Sequence, residues 1–392
     1  MKNDHIVVCG TGIAGLATAL GLARAGMRVS LLGPRPRQAD PAPPDVYCPR
    51  VYAMSLASRC FLSSLGVWDM LDARRIAAVE SMEVYGDAQG ALHLHAWQAT
   101  EQALTWIMES SELERVLRQA IAVYGIPWQD DTFQAWSGRE VTTASGQTLP
   151  ATLLVGADGA KSAVRAAAGI AHHAQPYGDT GVVTHLTAEL PHQHRAMQWF
   201  TGDSVLALLP LPDTSAGPQV SMVWSMPQAQ WRELQAMEAG RRDALLQKRL
   251  AAATGMRLGT LTVRAPVLGF PLTLEHSAMI APGVALVGDA AHRVHPLAGQ
   301  GLNLGLGDVE ELIRALRDKE SYRSAGDERV LRRYRRARAE PVWAMRAVTD
   351  GLHRLFKAEE TPVVWARNLG MQVVDRVPAL KRVLIEKAAG RR

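Results

Sequence analysis

The sequence has few cysteines, and their arrangement points to neither a structural bridge nor a metal site. Only three occur among 392 residues, Cys9, Cys48 and Cys60. They match no zinc spacing and lie too close to the N-terminus to cross-link the fold, so we expect a protein of the reducing cytosol. No apolar run reaches the ~18 residues of a membrane span. The first residues lead directly into a strand, so we expect no signal peptide.

The sequence also lacks internal repeats and low-complexity segments. Its hydrophobic fraction of 47% and charged fraction of 21% are typical of a globular protein with one or more large cores. The net charge of +5 is unevenly placed. Six arginines fall on one predicted helix: Arg329, Arg332, Arg333, Arg335, Arg336 and Arg338. Such a run is typical of a solvated helix face, or it contacts an anionic surface such as a membrane. We expect no nucleic-acid partner, because the arginine run is not part of a basic motif with interspersed aromatic residues.

A glycine-rich turn lies near the start of the chain. It joins a predicted strand, His5 to Cys9, to a helix over about 14–24, and a second strand follows over Arg28 to Leu32. Glycines in this context permit a tight turn and a close approach of the backbone to a pyrophosphate. The sequence therefore predicts a dinucleotide site, with these candidate contacts: Gly10, Gly12, Ile13, Ala14 and Gly15.

One expected residue is missing from this unit. A carboxylate usually ends the second strand and accepts a hydrogen bond from a ribose hydroxyl, but this chain has Gly33-Pro34-Arg35 there. Either water or another residue replaces the carboxylate, or adenosine is bound more weakly. If the strand ends as predicted, a Gly33→Glu substitution restores the acceptor, unless Arg35 or the following loop already fills the space.

Two later segments have the same character. Asp158 follows a strand over Leu153 to Val155, and Gly288 and Asp289 follow a strand over Val284 to Val287. Asp289 is placed to accept hydrogen bonds from a ribityl chain. A glycine-rich loop and a helix over about 302–316 come next and direct N–H groups and a positive dipole towards an anionic group. The loop candidates are Pro296, Gly299, Gln300, Gly301, Leu302 and Asn303.

Together the three segments predict FAD. The N-terminus of the helix over about 302–316 would favour the reduced, anionic form of the flavin. Two histidines of the last loop, His292 and His295, have a spacing compatible with a metal. We expect no metal, because the segment offers no further ligand, and we assign His292 a structural role. His295 and Pro296 are expected to face the flavin ring beside the substrate, and they are our catalytic candidates.

Between these segments the pattern changes to alternating strands. Strands are predicted over 84–94, 182–189, 198–200, 205–209 and 220–224, with a turn over 213–218, whereas helices are predicted over 55–71 and 111–124. The fold class is therefore α/β, with a Rossmann-like FAD-binding domain built from three separated segments, an inserted β-sheet domain for the substrate and a helical C-terminus. The expected boundaries are 1–78, 104–172 and 276–340 for the FAD domain, 79–103 and 173–275 for the substrate domain, and 341–392 for the C-terminal region.

The three motifs in this order resemble the group A flavoprotein monooxygenases, the aromatic hydroxylases related to para-hydroxybenzoate hydroxylase. The run from His295 to Gly305, with Asp308 after it, is similar to the signature of ubiquinone-biosynthesis hydroxylases. The segments 50–55, 65–68, 350–356 and 367–370 are also similar to that family, so the resemblance spans nearly the whole chain. In this chain, Asp179 stands where relatives tend to carry Gln, so the contact with the substrate at that position stays open.

The resemblance implies a mechanism. NADPH or NADH reduces non-covalently bound FAD, O2 forms a C4a-hydroperoxide, and one oxygen atom is transferred to an aromatic ring. It also implies that Arg50 contacts the flavin nucleotide, that Asp158 serves the pyrophosphate and pyridine-nucleotide region, and that Asp289 holds ribityl hydroxyls. The protein's part is to position the phenol and exclude water.

The resemblance further implies a polyprenylated phenol of ubiquinone biosynthesis as the substrate. Two alternatives stay open, namely a hydroxylase of a small soluble phenolic compound and a non-catalytic flavin-binding subunit of a biosynthetic assembly. The implied substrate is lipophilic, but the chain has no predicted membrane span. We therefore expect a cytoplasmic protein that works at the inner face of the membrane or in contact with a quinone-biosynthesis assembly. The C-terminal segment after Thr361 mixes apolar and basic residues and is the candidate surface.

Overall fold

A computed structural model describes residues 4–36, 43, 45–86, 90–294, 299–357 and 374–390. The helices are α1 Ile13–Arg24, α2 Leu56–Ser64, α3 Ser110–Val123, α4 Ala163–Ala167, α5 Gln228–Gln235, α6 Ala239–Thr254, α7 Gly301–Arg317, α8 Glu328–Lys357 and α9 Pro378–Ala388. The first twelve strands are β1 His5–Cys9, β2 Arg28–Leu32, β3 Val51–Met54, β4 Ile76–Val79, β5 Ser81–Tyr85, β6 Ala91–His95, β7 Thr105–Glu109, β8 Trp128–Gln129, β9 Phe133–Trp136, β10 Glu140–Thr143, β11 Thr148–Pro150 and β12 Leu153–Gly156. The others are β13 His172–Ala188, β14 Arg195–Thr201, β15 Ser204–Thr214, β16 Gly217–Pro227, β17 Leu261–Val263, β18 Leu268–Ser277, β19 Ile280–Ala281, β20 Val284–Leu286 and β21 His292–Arg293.

A six-stranded sheet in the order β19-β20-β12-β1-β2-β8 forms the centre of the region that the sequence assigns to the cofactor. All of its pairings are parallel except that of β19 with β20. In the register of the central strands, Val7 lies opposite both Leu154 and Ser30. The continuous apolar runs of β1 and β12 follow from burial on both faces of the sheet. The carboxyl ends of β1, β12 and β20 therefore meet at one edge, where the three glycine- and aspartate-bearing turns come together.

Helices α1 and α7 pack on this sheet through very close contacts. A side chain at Gly21 would place its Cβ 2.2 Å from Cδ1 of Ile313, so the absence of a side chain there lets Ile313 of α7 pack directly against the backbone of α1. The apolar stripe of α3 covers α1 from another side. Tyr334 of α8 is fully buried and donates a hydrogen bond to the carbonyl of Leu286 at 2.7 Å, which fixes α8 to β20.

A nine-stranded sheet forms the second layer of the molecule. Its order is β21-β18-β13-β16-β15-β14-β5-β6, with β17 paired to β13. Helices α5 and α6 cover one face of it, where Trp231, Leu246 and Leu250 are buried against the strands. The short strand β21 comes directly after the turn at Asp289 and pairs with β18. The large sheet is thus joined to the cofactor region beside the last glycine-rich segment.

Two small sheets complete the fold: β3-β7-β4, and the meander β9-β10-β11. The chain is α/β with a Rossmann-like parallel sheet, a large second sheet and a helical C-terminal part, which confirms the predicted fold class. No helix in the described part of the chain is both long and apolar enough to cross a membrane.

Several elements end elsewhere than the sequence predicts. The helix expected over 55–71 is wrong in its second half: α2 ends at Ser64, because Gly66 adopts a φ of +71° and only a short 3-10 turn, Trp68–Met70, follows. Most predicted strands of the large sheet are correct in position but too short, whereas the stretch predicted over 84–94 contains the end of β5 and most of β6. For example, β15 continues to Thr214 and β16 begins at Gly217, so the turn predicted over 213–218 is much tighter.

Candidate active site

The first glycine-rich turn forms a cradle at the N-terminus of α1. A Cβ at Gly10, whose φ is +119°, would lie 2.2 Å from the carbonyl oxygen of Ala157, and a Cβ at Gly15 would lie 2.0 Å from that of Gly10. Beside Gly12, in contrast, the space is open. Gly12 caps α1 without any side-chain hydrogen bond, so the first N–H groups of the helix stay available. This donor set fits a pyrophosphate.

Backbone hydrogen bonds hold the three cofactor segments together at one edge of the sheet. The N–H of Ala157 donates to Cys9 at 2.7 Å, and the N–H of Val287 donates to Gly156 at 2.9 Å. The buried Arg165 of α4 adds a third link, because its Nη1 donates to the carbonyl of Ala290 at 2.8 Å. The middle segment therefore supports the turn that carries Asp289.

A buried charge network fixes that turn. Asp308 of α7 is fully buried, and its Oδ2 accepts a hydrogen bond from the N–H of Gly288 at 3.0 Å. Nε2 of His292 lies 2.7 Å from the same oxygen. Nε of Arg338 donates to Oδ1 at 2.7 Å. Burial opposes ionisation of Asp308, but His292 and Arg338 together hold the pKa of its carboxyl below the usual value.

Asp289 itself points away from this network. Its side chain is 48% exposed, and among the described residues its nearest cation is Arg293, whose Nε lies 4.0 Å from Oδ2. Arg293 is held in turn by Glu275 of β18, to which its Nη1 donates at 2.8 Å. The Asp289 carboxylate thus retains oxygens that can accept hydrogen bonds from a ligand, and this fits the hydroxyls of a ribityl chain.

The start of α7 is anchored by a side-chain amide. Nδ2 of Asn303 donates to the carbonyl of Ala53 at 2.8 Å, and its Oδ1 accepts from the N–H of Ser55 at 3.0 Å. Asn303 therefore joins α7 to the end of β3, and its side chain has protein partners. The N-terminal end of α7 lies over the Asp289 turn, since a Cβ at Gly305 would be only 3.1 Å from Cα of Gly288.

Tyr52 of β3 lies between two charged candidates. The guanidinium carbon of Arg50 lies 5.2 Å from the centre of the Tyr52 ring. Burial, with the Asp289 carboxylate nearby, raises the pKa of Tyr52 to about 12, and Arg50 offsets part of this shift. The phenol is therefore neutral at physiological pH, and the guanidinium that lies against it belongs to the exposed Arg50.

The structure gives Asp158 protein partners rather than a free carboxylate. Its Oδ1 accepts from the hydroxyl of Ser162 at 2.5 Å and its Oδ2 from the N–H of Val164 at 3.1 Å, so it caps the start of α4. His295 and Pro296, our catalytic candidates, lie outside the described residues. Asp179 is buried beside the irregular stretch in the pairing of β13 with β18.

Sequence reasoning missed several residues that build this site. Arg338 belongs to the arginine run that we interpreted as a solvated face, yet its side chain is buried against Asp308. The signal was present in the spacing, because Leu331, Tyr334 and Arg338 fall on one face of α8 and all are buried. Arg165 and Tyr52 gave no comparable signal, since their roles depend on contacts between distant segments.

Comparison with known proteins identifies the family. A family profile described as FAD binding domain matches residues 4–349. The chain is 35% identical over 409 residues to the 3-demethoxyubiquinol 3-hydroxylase of Escherichia coli (strain K12), with 99% of each chain covered. It is 33% identical over 402 residues to the ubiquinone hydroxylase UbiL of Rhodospirillum rubrum, with 99% of this chain and 90% of the relative covered.

Solved structures share the fold. A p-nitrophenol 4-monooxygenase from Pseudomonas putida DLL-E4 aligns with a TM-score of 0.76 at 19% identity, covering 99% of both chains. A probable FAD-dependent monooxygenase from Pseudomonas aeruginosa aligns with a TM-score of 0.75 at 22% identity, covering 94% of this chain and all of the other.

The parallel sheet and the glycine-rich turn before α1, whose free N–H groups fit a pyrophosphate, define a dinucleotide-binding fold of the Rossmann type. Together with the matches above, they show that this chain belongs to the FAD-dependent monooxygenase family that includes the ubiquinone-biosynthesis hydroxylases. Its cofactor is FAD, with NAD(P)H and O2 as the usual co-substrates of the family, as the sequence predicted.

Proposed function

We propose that this protein hydroxylates the aromatic ring of a polyprenylated phenol in ubiquinone biosynthesis. The observation that carries the proposal is the end-to-end similarity to the 3-demethoxyubiquinol 3-hydroxylase, which covers 99% of both chains at 35% identity. The mammalian relatives named ubiquinone biosynthesis monooxygenase COQ6 support it, since the rat protein is 32% identical over 98% of this chain. The site geometry agrees, because the chain holds a flavin cradle and the reaction needs no side-chain nucleophile.

The proposed roles of the site residues follow from their positions. Bound FAD would take a hydride from NAD(P)H and deliver one oxygen atom of O2 to the substrate ring. The N–H groups around Gly12 would hold its pyrophosphate, and the Asp289 carboxylate would accept hydrogen bonds from the ribityl hydroxyls. The backbone from Gly299 to Leu302 would direct the positive end of α7 towards the flavin ring. Arg50, beside Tyr52, would contact the flavin nucleotide.

We retain three further assignments as proposals. Asp158 would serve the pyrophosphate and pyridine-nucleotide region, in addition to capping α4. For His295 and Pro296, which lie outside the described residues, we keep the proposal of a role at the flavin face, where they would position the substrate. The FAD-binding domain comprises 1–78, 104–172 and 276–340, and the substrate domain comprises 79–103 and 173–275, so that the nine-stranded sheet supplies the wall of the phenol site.

The C-terminal helix α9 provides a surface for a membrane-borne substrate. Its inner face carries Ile385, which is buried, and the N–H of Ala57 donates to the carbonyl of Ala389 at 3.0 Å. Its outer face exposes Leu380, Val383 and Leu384. Spacings of three and four residues place these side chains on one stripe of the helix.

Aromatic and basic residues flank this stripe. Helix α9 packs against the short 3-10 turn Ala96–Ala99, whose Trp97 is 72% exposed. Arg376, Arg382 and Lys387 are exposed on or near the helix. An exposed tryptophan beside apolar and basic side chains suits the interface of an anionic membrane. We therefore propose peripheral contact with the inner face of the membrane through α9, with a subunit of a quinone-biosynthesis assembly as the alternative occupant.

Co-sedimentation with vesicles tests this contact. We expect the parent protein to bind anionic vesicles in a salt-sensitive way, and truncation after Thr361 or the exposed-face substitution Leu380→Ser/Val383→Ser/Leu384→Ser to remove most of the binding. The matched control is Val123→Ser, which removes an exposed apolar side chain from α3. Unchanged vesicle binding in both α9 variants with flavin retained would contradict the membrane proposal, and flavin loss on truncation would instead show that the segment packs on the flavin domain.

Complementation tests the function itself. Strains that each lack one ring hydroxylase of ubiquinone biosynthesis would receive this chain, and their quinone intermediates would be identified by mass spectrometry. We expect restored ubiquinone in one such strain and no rescue by the Asp289→Ala variant. If no strain were rescued and the purified enzyme hydroxylated a small soluble phenol, the substrate would be a soluble phenol rather than a polyprenylated one.

A further inference from the structure

The end of the FAD site that receives adenosine lacks its usual carboxylate in this chain, because Gly33 occupies the position that normally carries the ribose-binding residue. Its φ is +150°, which side-chain-bearing residues rarely adopt. A Cβ there would lie 2.8 Å from Cγ2 of Thr11, in the glycine-rich turn itself. The end of β2 therefore has no room for the usual side chain.

The main-chain groups at this position are also committed to protein partners. The N–H of Gly33 donates to the carbonyl of Gln129 at 3.1 Å, and its own carbonyl accepts from Nε1 of Trp128 at 2.9 Å. The hydroxyl of Thr11 donates to the carbonyl of Pro34 at 3.0 Å. Hydrogen bonds within the protein thus fix the segment after β2 against the pyrophosphate turn.

A carboxylate from the neighbouring strand lies at the same edge. Strand β8 runs parallel to β2, so both strands end on the side of the sheet where nucleotides bind in such folds. Asp130 follows β8 directly, and its Oδ1 accepts the N–H of Arg35 at 2.8 Å. Asp130 is exposed, and its Oδ2 has no hydrogen-bond partner among the described residues.

The adjacent carboxylate is not equivalent. Asp131 accepts from the N–H of Thr132 at 2.7 Å and from the hydroxyl of Ser145 at 2.6 Å, so both of its oxygens are engaged in the β9–β10 meander. Asp130 is therefore the carboxylate that contacts the segment after β2 through one oxygen and leaves its other oxygen open to solvent.

We propose that Asp130, on the strand next to β2, accepts a hydrogen bond from a ribose hydroxyl of the adenosine of FAD in place of the missing carboxylate at Gly33. Its Oδ1 holds the Arg35 segment in place, and its Oδ2 faces the ribose. The assignment depends on FAD being the cofactor, and it is independent of which phenol is hydroxylated.

Flavin titration of the apoprotein tests the proposal without any turnover. The quenching of flavin fluorescence would give the Kd for FAD, for FMN, which lacks the adenosine, and for FAD analogues lacking the 2′- or the 3′-hydroxyl of the adenosine ribose. We expect Asp130→Ala to weaken FAD binding about tenfold, equivalent to ~1.4 kcal/mol, and to leave FMN binding unchanged. One of the two deoxy analogues should bind the parent about tenfold more weakly and should lose nothing further in the variant.

Two controls keep the result decisive. Asp131→Ala changes the same segment and should leave both flavin affinities unchanged. If Asp130→Ala does not fold, Asp130→Asn, whose amide oxygen can still accept the Arg35 N–H, should weaken FAD binding about threefold, a smaller loss because the charge alone is removed. Equal FAD binding by the parent and the Asp130 variant would overturn the proposal. An equal loss for FAD and both deoxy analogues would also overturn it, because Asp130 would then act only by holding Arg35.

Discussion

The carboxylate of Asp308 accepts a hydrogen bond from the backbone N–H of Gly288 at 3.0 Å, although twenty positions separate the two residues. This contact holds the turn that presents Asp289, and it does so from inside the protein. Arg338 balances the buried charge of Asp308, and His292 contacts the same carboxylate. The cofactor site thus depends on a carboxylate that need not touch the cofactor.

Asp308→Asn should destabilise the protein strongly. The substitution leaves Arg338 buried without its anionic partner, and breaking one side of a buried pair typically costs about 3–5 kcal/mol. Urea unfolding of the parent and the variant would measure the loss. The matched control is Glu328→Gln, which breaks the exposed pair of Glu328 with Arg332 and should cost under about 1 kcal/mol. Equal effects of the two substitutions would show that the network contributes little.

The contribution of Asp308 should disappear in acid. Its pKa is lower in the folded protein than in the unfolded chain, so its stabilisation is fully present above the unfolded value of about 3.9 and is lost as the pH falls through the folded value. The difference in free energy of unfolding between the parent and Asp308→Asn should therefore be constant from neutral pH down to about pH 5 and shrink below about pH 4. A difference that grows on acidification would contradict the assigned charge state.

Asp289→Ala should weaken FAD binding about tenfold or more, because each hydrogen bond to a charged acceptor contributes ~1–3 kcal/mol and ~1.4 kcal/mol corresponds to one decade. Dialysis of the flavin-loaded protein followed by absorbance would measure retention. Asp318→Ala is the matched control, since Asp318 is a comparably exposed carboxylate that pairs with Arg317. Flavin held as tightly by Asp289→Ala as by the parent would remove Asp289 from the ribityl site.

Gly33→Glu should lower both stability and FAD affinity, although the sequence alone suggested that it would restore a ribose acceptor. The φ of +150° and the contact with Thr11 explain the reversal, and such strain costs about 1–3 kcal/mol. Thermal unfolding and FAD titration would measure the two effects. Gly240→Ala, where the space is open and no positive φ is required, should behave like the parent. Improved FAD binding by Gly33→Glu would show that the end of β2 rearranges freely.

Local patterns were sufficient for the parts of the fold that depend on neighbours in sequence. The unit β1-α1-β2 was predicted almost to the residue, because its apolar runs and its glycine turn depend only on residues close together in the sequence. The early end of α2 shows the limit of such reasoning. The apolar spacing continues past Ser64, but the left-handed conformation of Gly66 ends the helix.

The candidate site was predictable where a motif carries its own geometry. A Cβ at Gly10 or Gly15 would lie 2.2 Å or 2.0 Å from a backbone oxygen, so both positions need glycine for the tight turn that the sequence predicted, whereas their contact with a pyrophosphate stays a prediction. Asp158 and Arg338 were less accessible to sequence reasoning, because a carboxylate near a helix start can serve either the helix or a ligand, and an arginine run does not show which member is buried. Those outcomes depend on contacts between segments far apart in the chain.

Transfer of oxygen from O2 to an aromatic ring is the central claim, and isotope labelling measures it directly. The FAD-loaded protein would be incubated with NAD(P)H, heavy-isotope O2 and a short-chain prenylated phenol, and the product would be analysed by mass spectrometry. We predict a ring-hydroxylated product carrying one labelled oxygen atom, with NAD(P)H oxidation stimulated by the phenol. NAD(P)H oxidation that yields only hydrogen peroxide for every phenol tried, or a bound flavin that is not reduced at all, would contradict the account.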